Sequence, residues 1–198
     1  VTSKLKEEGI YYQIYTNRGI YTEDPQRDLD IYIDIAERAG QKADVEKIKK
    51  GIQKRIDNGT LKVVDSYDAI EDIPGELIMK VLAFNPDLGK MDRVGQELAT
   101  SPNLAISSSS RGNLEITHSD AQKGIALETI AERLGVKMEN VMALGDNLND
   151  MSMLERVGYP VAMENAAPEV KAIATYTTDT NENSGVGKAI MKLIDQKK

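Results

Sequence analysis

The sequence predicts an α/β protein in two parts: an α+β domain with an antiparallel sheet over residues 1–116, and a parallel α/β unit over 117–198. Three observations predict it. Short β-branched and aromatic runs separated by turn signals fill the first part, amphipathic helices lie between them, and a strand–helix rhythm takes over after residue 116. The first run, Ile10-Tyr11-Tyr12-Gln13-Ile14-Tyr15-Thr16, suits a strand, and Asn17-Arg18-Gly19 reads as the tight turn of a hairpin into Ile20-Tyr21-Thr22. Helical spacing of Leu29, Ile33 and Ala36, with Pro25 in the first turn and Gly40 at the end, predicts the next element. Val45, Ile48, Ile52 and Ile56 repeat the pattern as far as Asn58-Gly59. Leu77 to Phe84 is an apolar strand, and Leu88 to Leu98 a helix. Leu104–Ile106 and Leu114–Ile116 flank Ser107 to Gly112 as a second hairpin would. Beyond 116, helix Lys123–Leu134, strand Val141–Leu144, helix Met151–Val157, strand Pro160–Met163, helix Glu169–Ala174 and strand Thr175–Thr178 alternate as βα units do.

Composition narrows the chemistry. With no cysteine and one histidine, thiolate metal sites, cysteine nucleophiles and histidine-based triads are disfavoured, so any catalysis falls to carboxylates, lysine or hydroxyls. A net charge of −7 disfavours nucleic acid as a partner, because binding there rests on cation contacts with phosphate. No run approaches the roughly 20 apolar residues of a membrane helix, and the N-terminus lacks a secretory core, so neither membrane association nor export is expected and a cytoplasmic location follows.

The segment richest in chemistry is Val141-Met142-Ala143-Leu144-Gly145-Asp146-Asn147-Leu148-Asn149-Asp150-Met151, an apolar strand ending in an acidic and amide-rich turn. Open α/β sheets bind ligands at such strand ends. Asp146 and Asp150 are hard oxygen donors of the type Mg²⁺ takes together with waters and a substrate phosphate. A simple helix start, with Asn147 or Asn149 capping and Asp150 favouring the positive end of the dipole, accounts for one or two of these residues. It does not account for Gly145, Asp146, Asn149 and Asp150 together. Lys123, ahead of Gly124 and a helical face Ile125, Leu127, Ile130, Leu134, could hold a phosphoryl group by charge, but with 25 basic residues in the chain a surface lysine is the default reading of it taken alone.

Lys123-Gly124, then Gly145-Asp146-Asn147-Leu148-Asn149-Asp150, Met153-Leu154, Val161-Ala162-Met163-Glu164-Asn165-Ala166 and Gly185-Val186 follow one another in an order that resembles the C-terminal part of a Cof-type member of the haloacid dehalogenase-like superfamily. The resemblance covers residues 113–191, and 1–116 are similar in arrangement to the α/β cap inserted in these proteins. It implies a partial Rossmann-like parallel core sheet with an inserted cap, and hydrolysis of a small phosphorylated metabolite, such as a sugar phosphate or nucleotide, through an aspartyl-phosphate. It also implies roles: Asp146 binds Mg²⁺, Asp150 supports the metal and its waters, Asn149 assists near the substrate phosphate, and Lys123 pairs with the nucleophile and phosphoryl oxygens.

The family's nucleophile motif, an apolar strand running into Asp-x-Asp-Gly-Thr/Val, has no match here. Asp28-Leu29-Asp30 follows Gln26-Arg27 rather than an apolar run and continues as helix, and Thr16-Asn17-Arg18-Gly19 fits a cap hairpin. The chain therefore reads as a C-terminal fragment, inactive on its own, whose strand Val141–Leu144 presents a bare edge through which it self-associates. A non-catalytic metabolite-binding or regulatory protein on the same fold is the alternative, and the residues encoded before Val1 separate the two. A glycine-rich nucleotide loop, the mark of an unrelated α/β class, is not visible. His118, Tyr11, Tyr12, Tyr15, Tyr21 and Ser107–Arg111 read as surface, sheet packing and hairpin tip.

Overall fold

A computed structural model describes residues 1–38, 40–110 and 112–196, and in it the chain folds as two units. Among the described residues no helix is long and apolar enough to cross a membrane.

The first unit takes in residues 1–106 and the strand that closes it. Helix α1 (Thr2–Glu7) leads into β1 (Tyr11–Thr16) and β2 (Gly19–Thr22), the expected hairpin, with Ile14 opposite Tyr21. Helices α2 (Pro25–Arg38) and α3 (Val45–Asp57) follow, then β3 (Leu61–Val63), α4 (Asp68–Glu71), β4 (Ile78–Phe84), α5 (Leu88–Leu98), β5 (Leu104–Ser107) and β6 (Asn113–His118). The sheet order is β3-β2-β1-β4-β6-β5. Antiparallel pairing holds for β1–β2, β1–β4 and β4–β6, but β3, a strand the sequence pattern does not announce, runs parallel to β2. The reason is the connection: α2 and α3 form a helical hairpin that returns the chain to the starting end of β2.

Alternation along β1 separates two faces. Tyr12 and Ile14 join Leu5, Tyr21, Ile70, Met91, Val94 and Ile116 in the main core. Tyr11, Gln13 and Tyr15 point the other way, toward a side where Leu29, Ile52 and Leu61 form a smaller core under α2 and α3. Here the polar groups are paired. Gln13 Nε2 donates to Asp28 Oδ1 at 2.7 Å, Arg55 Nη1 lies 3.4 Å from Asp28 Oδ2, and the Tyr11 and Thr22 hydroxyls are 2.8 Å apart. Asp28 is therefore a buried tie between helix and sheet.

The second unit comprises Ser107–Ser110 and the chain from Ser119 onward. Its elements are α6 (Lys123–Arg133), β7 (Met142–Gly145), α7 (Met151–Leu154), β8 (Tyr159–Ala162), α8 (Pro168–Ile173), β9 (Tyr176–Thr177) and α9 (Gly185–Gln196). The strands form the expected parallel sheet in the order β7-β8-β9, with Leu144 opposite Val161 and Val161 opposite Tyr176. Leu154, Val157, Ala162, Met163 and Val170 make its core. One helical face differs from expectation. Gly124, Leu127 and Ala131 face inward, whereas Ile130 and Leu134 are exposed, because the close approach at Gly124 rotates α6 by its smallest residues rather than by its branched ones.

Candidate active site

The acidic turn stands where the sequence places it, at the C-terminal end of β7. After Gly145 the backbone enters a single 3₁₀ turn, Leu148–Asp150, and α7 starts at Met151. The helix-start reading is realised in these residues. Asn147 and Asp150 form a reciprocal capping box, and Asp150 Oδ2 accepts from the N–H groups of Asp146 at 3.0 Å and Asn147 at 3.3 Å. Asp150 is only 6% exposed, so its charge needs these donors, and its other oxygen, Oδ1, takes Lys123 Nζ at 2.5 Å.

Two glycines make that packing possible. A Cβ on Gly145 would stand 2.5 Å from the Asp150 Cβ, and one on Gly124 would stand 2.0 Å from the Ser152 carbonyl oxygen. The first lets the Asp150 side chain fold back beneath the strand end. The second lets the start of α6 press on the turn, where Gly124 N–H also donates to Ser152 Oγ at 3.0 Å, and that approach delivers the Lys123 ammonium to Asp150. The Lys-Gly pair is thus a geometric unit.

Asp146 is the less enclosed carboxylate. Its Oδ2 accepts from Asn165 Nδ2 at 3.2 Å, and among the described residues no hydrogen bond reaches Oδ1. Its backbone carbonyl accepts from Ala167 N–H at 2.9 Å, which ties β7 to the turn after β8. Asn149 N–H donates to the Ser108 carbonyl at 3.3 Å. Lys123, Asp146, Asn149 and Asp150 therefore share one turn and its immediate surroundings. Two participants went unassigned by sequence reasoning. Asn165 lay inside a recognised motif without a role, and Ser108 read as a bare hairpin tip; a serine carbonyl leaves no trace in side-chain pattern. Arg111 lies outside the described residues. Of the other residues set aside, His118 ends β6 at the surface, and Tyr12 and Tyr21 belong to the sheet core.

The donor set can be tested against a divalent cation. Among the described residues no group of three or more carboxylates, histidines or cysteines is placed to hold a metal. Mg²⁺, however, retains several waters and takes only one or two protein carboxylates beside a phosphate, and Asp146 with an open Oδ1 suits that demand. Both Asp150 oxygens already accept hydrogen bonds, which fits a carboxylate standing behind the ligand.

A parallel sheet with helices between its strands and an acidic turn at the end of β7 defines an α/β protein of the Rossmann-like kind. More specifically, the chain belongs to the haloacid dehalogenase-like hydrolase family, whose model matches residues 1–190. It is 30% identical to phosphatase YwpJ of Bacillus subtilis (strain 168), over 98% of this chain and 69% of that protein. It is also 30% identical to the same bacterium's 5-amino-6-(5-phospho-D-ribitylamino)uracil phosphatase YwtE, over 98% and 68%. A solved haloacid dehalogenase-like hydrolase from B. subtilis aligns with a TM-score of 0.78 at 31% identity, covering 93% of this chain and 65% of that one. The chain thus spans about two thirds of the length of these relatives.

Proposed function

We propose that the protein is a Mg²⁺-dependent phosphatase of small phosphorylated metabolites, and that residues 117–198 supply the cation and phosphate half of its site. The observation that carries this reading is the open Asp146 Oδ1 beside a Lys123–Asp150 pair at the strand end. Two relatives matched over nearly the whole chain are named phosphatases, which supports the reaction class. The substrate named for one of them, a phosphorylated ribityl compound, belongs to the proposed class.

In this reading Asp146 holds a hydrated Mg²⁺, which when bound neutralises charge on the phosphoryl oxygens. Asp150 serves as the hub that fixes Lys123 and the Asp146 backbone. Lys123, half exposed while paired, keeps ammonium protons free to meet a phosphoryl oxygen. Asn149, its backbone tied to Ser108, presents its amide beside the phosphate. An aspartyl-phosphate pathway needs a nucleophilic carboxylate, and no residue of this sequence is assigned that part. Among the described residues β7 stands at the edge of its sheet, and the proposal extends to self-association of the 198-residue chain through that edge, which monomeric light scattering at high concentration contradicts.

The test is hydrolysis of a generic phosphate ester by the product of the complete reading frame, with and without Mg²⁺, repeated with Asp146→Asn. A metal-dependent rate that falls at least about 100-fold in the variant is expected, in the range seen on removing one charge-stabilising group. An Asp146→Asn protein with the full rate overturns the assignment.

A further inference from the structure

The amide of Asn165 bridges two partners that fix its orientation. Its Oδ1 accepts from the backbone N–H of Asn181 at 3.2 Å, and its Nδ2 donates to Asp146 Oδ2 at 3.2 Å. A backbone N–H can only donate, so the oxygen end of the amide must face Asn181, and the nitrogen end is left for Asp146. The carboxylate of Asp146 is thereby held at one oxygen by a neutral donor, and among the described residues none reaches the other. A carboxylate lacking that contact rotates about its last bond and offers either oxygen, or both, with no preferred direction.

The Asn181 N–H is itself held in place. Asn183 N–H donates to the Thr180 carbonyl at 3.2 Å and to Thr180 Oγ1 at 3.2 Å, and Gly185 N–H donates to the same carbonyl at 3.0 Å. Asp179 pairs with Lys188 of α9, and its carbonyl accepts from Glu164 N–H at 3.3 Å, adjacent to Asn165. Residues 179–185 thus form a braced turn between β9 and α9.

We propose that Asn165 is a positioning residue for Asp146, and that the braced turn at 179–185 sets which end of its amide meets that carboxylate. This inference rests on the reading of Asp146 as the cation ligand. Groups of this kind orient a ligand without touching the metal, and their loss typically lowers metal affinity about 10- to 100-fold.

The test is titration of the 198-residue chain with Mn²⁺, following the free ion by electron paramagnetic resonance, alongside thermal unfolding in metal-free buffer. Asn165→Leu keeps the approximate volume and removes both ends of the amide. It is expected to weaken Mn²⁺ binding about 10-fold, the lower end for such groups, while leaving the metal-free unfolding midpoint in place. Wild-type affinity in Asn165→Leu overturns the inference, as does a parallel loss of affinity and metal-free stability, which marks a purely structural residue. Asp146→Asn separates the two levels. If it binds Mn²⁺ as tightly as the wild type, or the wild type binds none, the ligand reading itself fails and the positioning role falls with it.

Discussion

Each unit buries an aspartate, and the two are used differently. Asp28 of the first unit is 3% exposed and both its oxygens face side chains, Gln13 and Arg55, so its contacts close on themselves. Asp150 of the second unit, at 6%, also fills both oxygens, but two of its donors are backbone N–H groups of the neighbouring turn, one of them that of Asp146 itself. Asp28 ties elements together, whereas Asp150 shapes the turn that presents a second, open carboxylate. Burial of a charge is therefore a poor marker of a site taken alone. The two surroundings differ in that beside Asp150 an acceptor, Asp146 Oδ1, has no donor among the described residues.

Removing each aspartate sharpens that contrast. Asp28→Ala leaves the buried Gln13 amide without its acceptor and takes one partner from Arg55, which costs about 3 kcal/mol. Chemical unfolding of the first unit should show that loss, with Mn²⁺ affinity unchanged. Asp150→Ala should cost less stability, about 2 kcal/mol, since Lys123 is half exposed and can turn to water. Yet it should weaken Mn²⁺ binding about 10-fold, as loss of support behind a ligand does. Equal effects of the two variants on the metal would break the comparison.

The smallest expected effect concerns pH. Arg93, and then Lys4, hold the Glu8 carboxyl down to about 2 from an ordinary 4.5. A depressed carboxylate favours folding above its unfolded value and loses that contribution as pH falls. The Glu8 contribution should therefore fade between about 4.5 and 2, and Glu8→Gln should flatten the unfolding midpoint over that window. Asp28 acts in the opposite sense. Desolvation raises its pKa despite Arg55 and Gln13, so its folded form is favoured as pH falls through that raised value. A midpoint that declines toward acid just as steeply in Glu8→Gln contradicts the assignment to this pair.

Much of this arrangement was legible in the sequence. The β1–β2 hairpin, the helices α2, α3, α5 and α6 and the parallel β7-β8-β9 sheet follow from apolar period and turn residues. Strand β3 escaped because only Leu61 of Leu61-Lys62-Val63 is buried, and Lys62 breaks the apolar run. The inward face of α6 was misread because Gly124 and Ala131 carry little hydrophobic signal, whereas exposed Ile130 and Leu134 carry much. In the site, side chains that approach along one turn were readable from spacing. Contacts made by backbone groups, such as Ser108 to Asn149, or across strands, such as Asn165 to Asp146, depend on the fold and were not.

In the proposed site the turn after β7 presents Asp146 to a divalent cation. Crystals of the protein soaked in Mn²⁺ and measured by anomalous diffraction test it most directly. A peak is expected about 2 Å from Asp146 Oδ1, the distance at which such hard cations meet carboxylate oxygen, with Asp150 outside the coordination sphere. A bound Mn²⁺ that ignores Asp146 would contradict it.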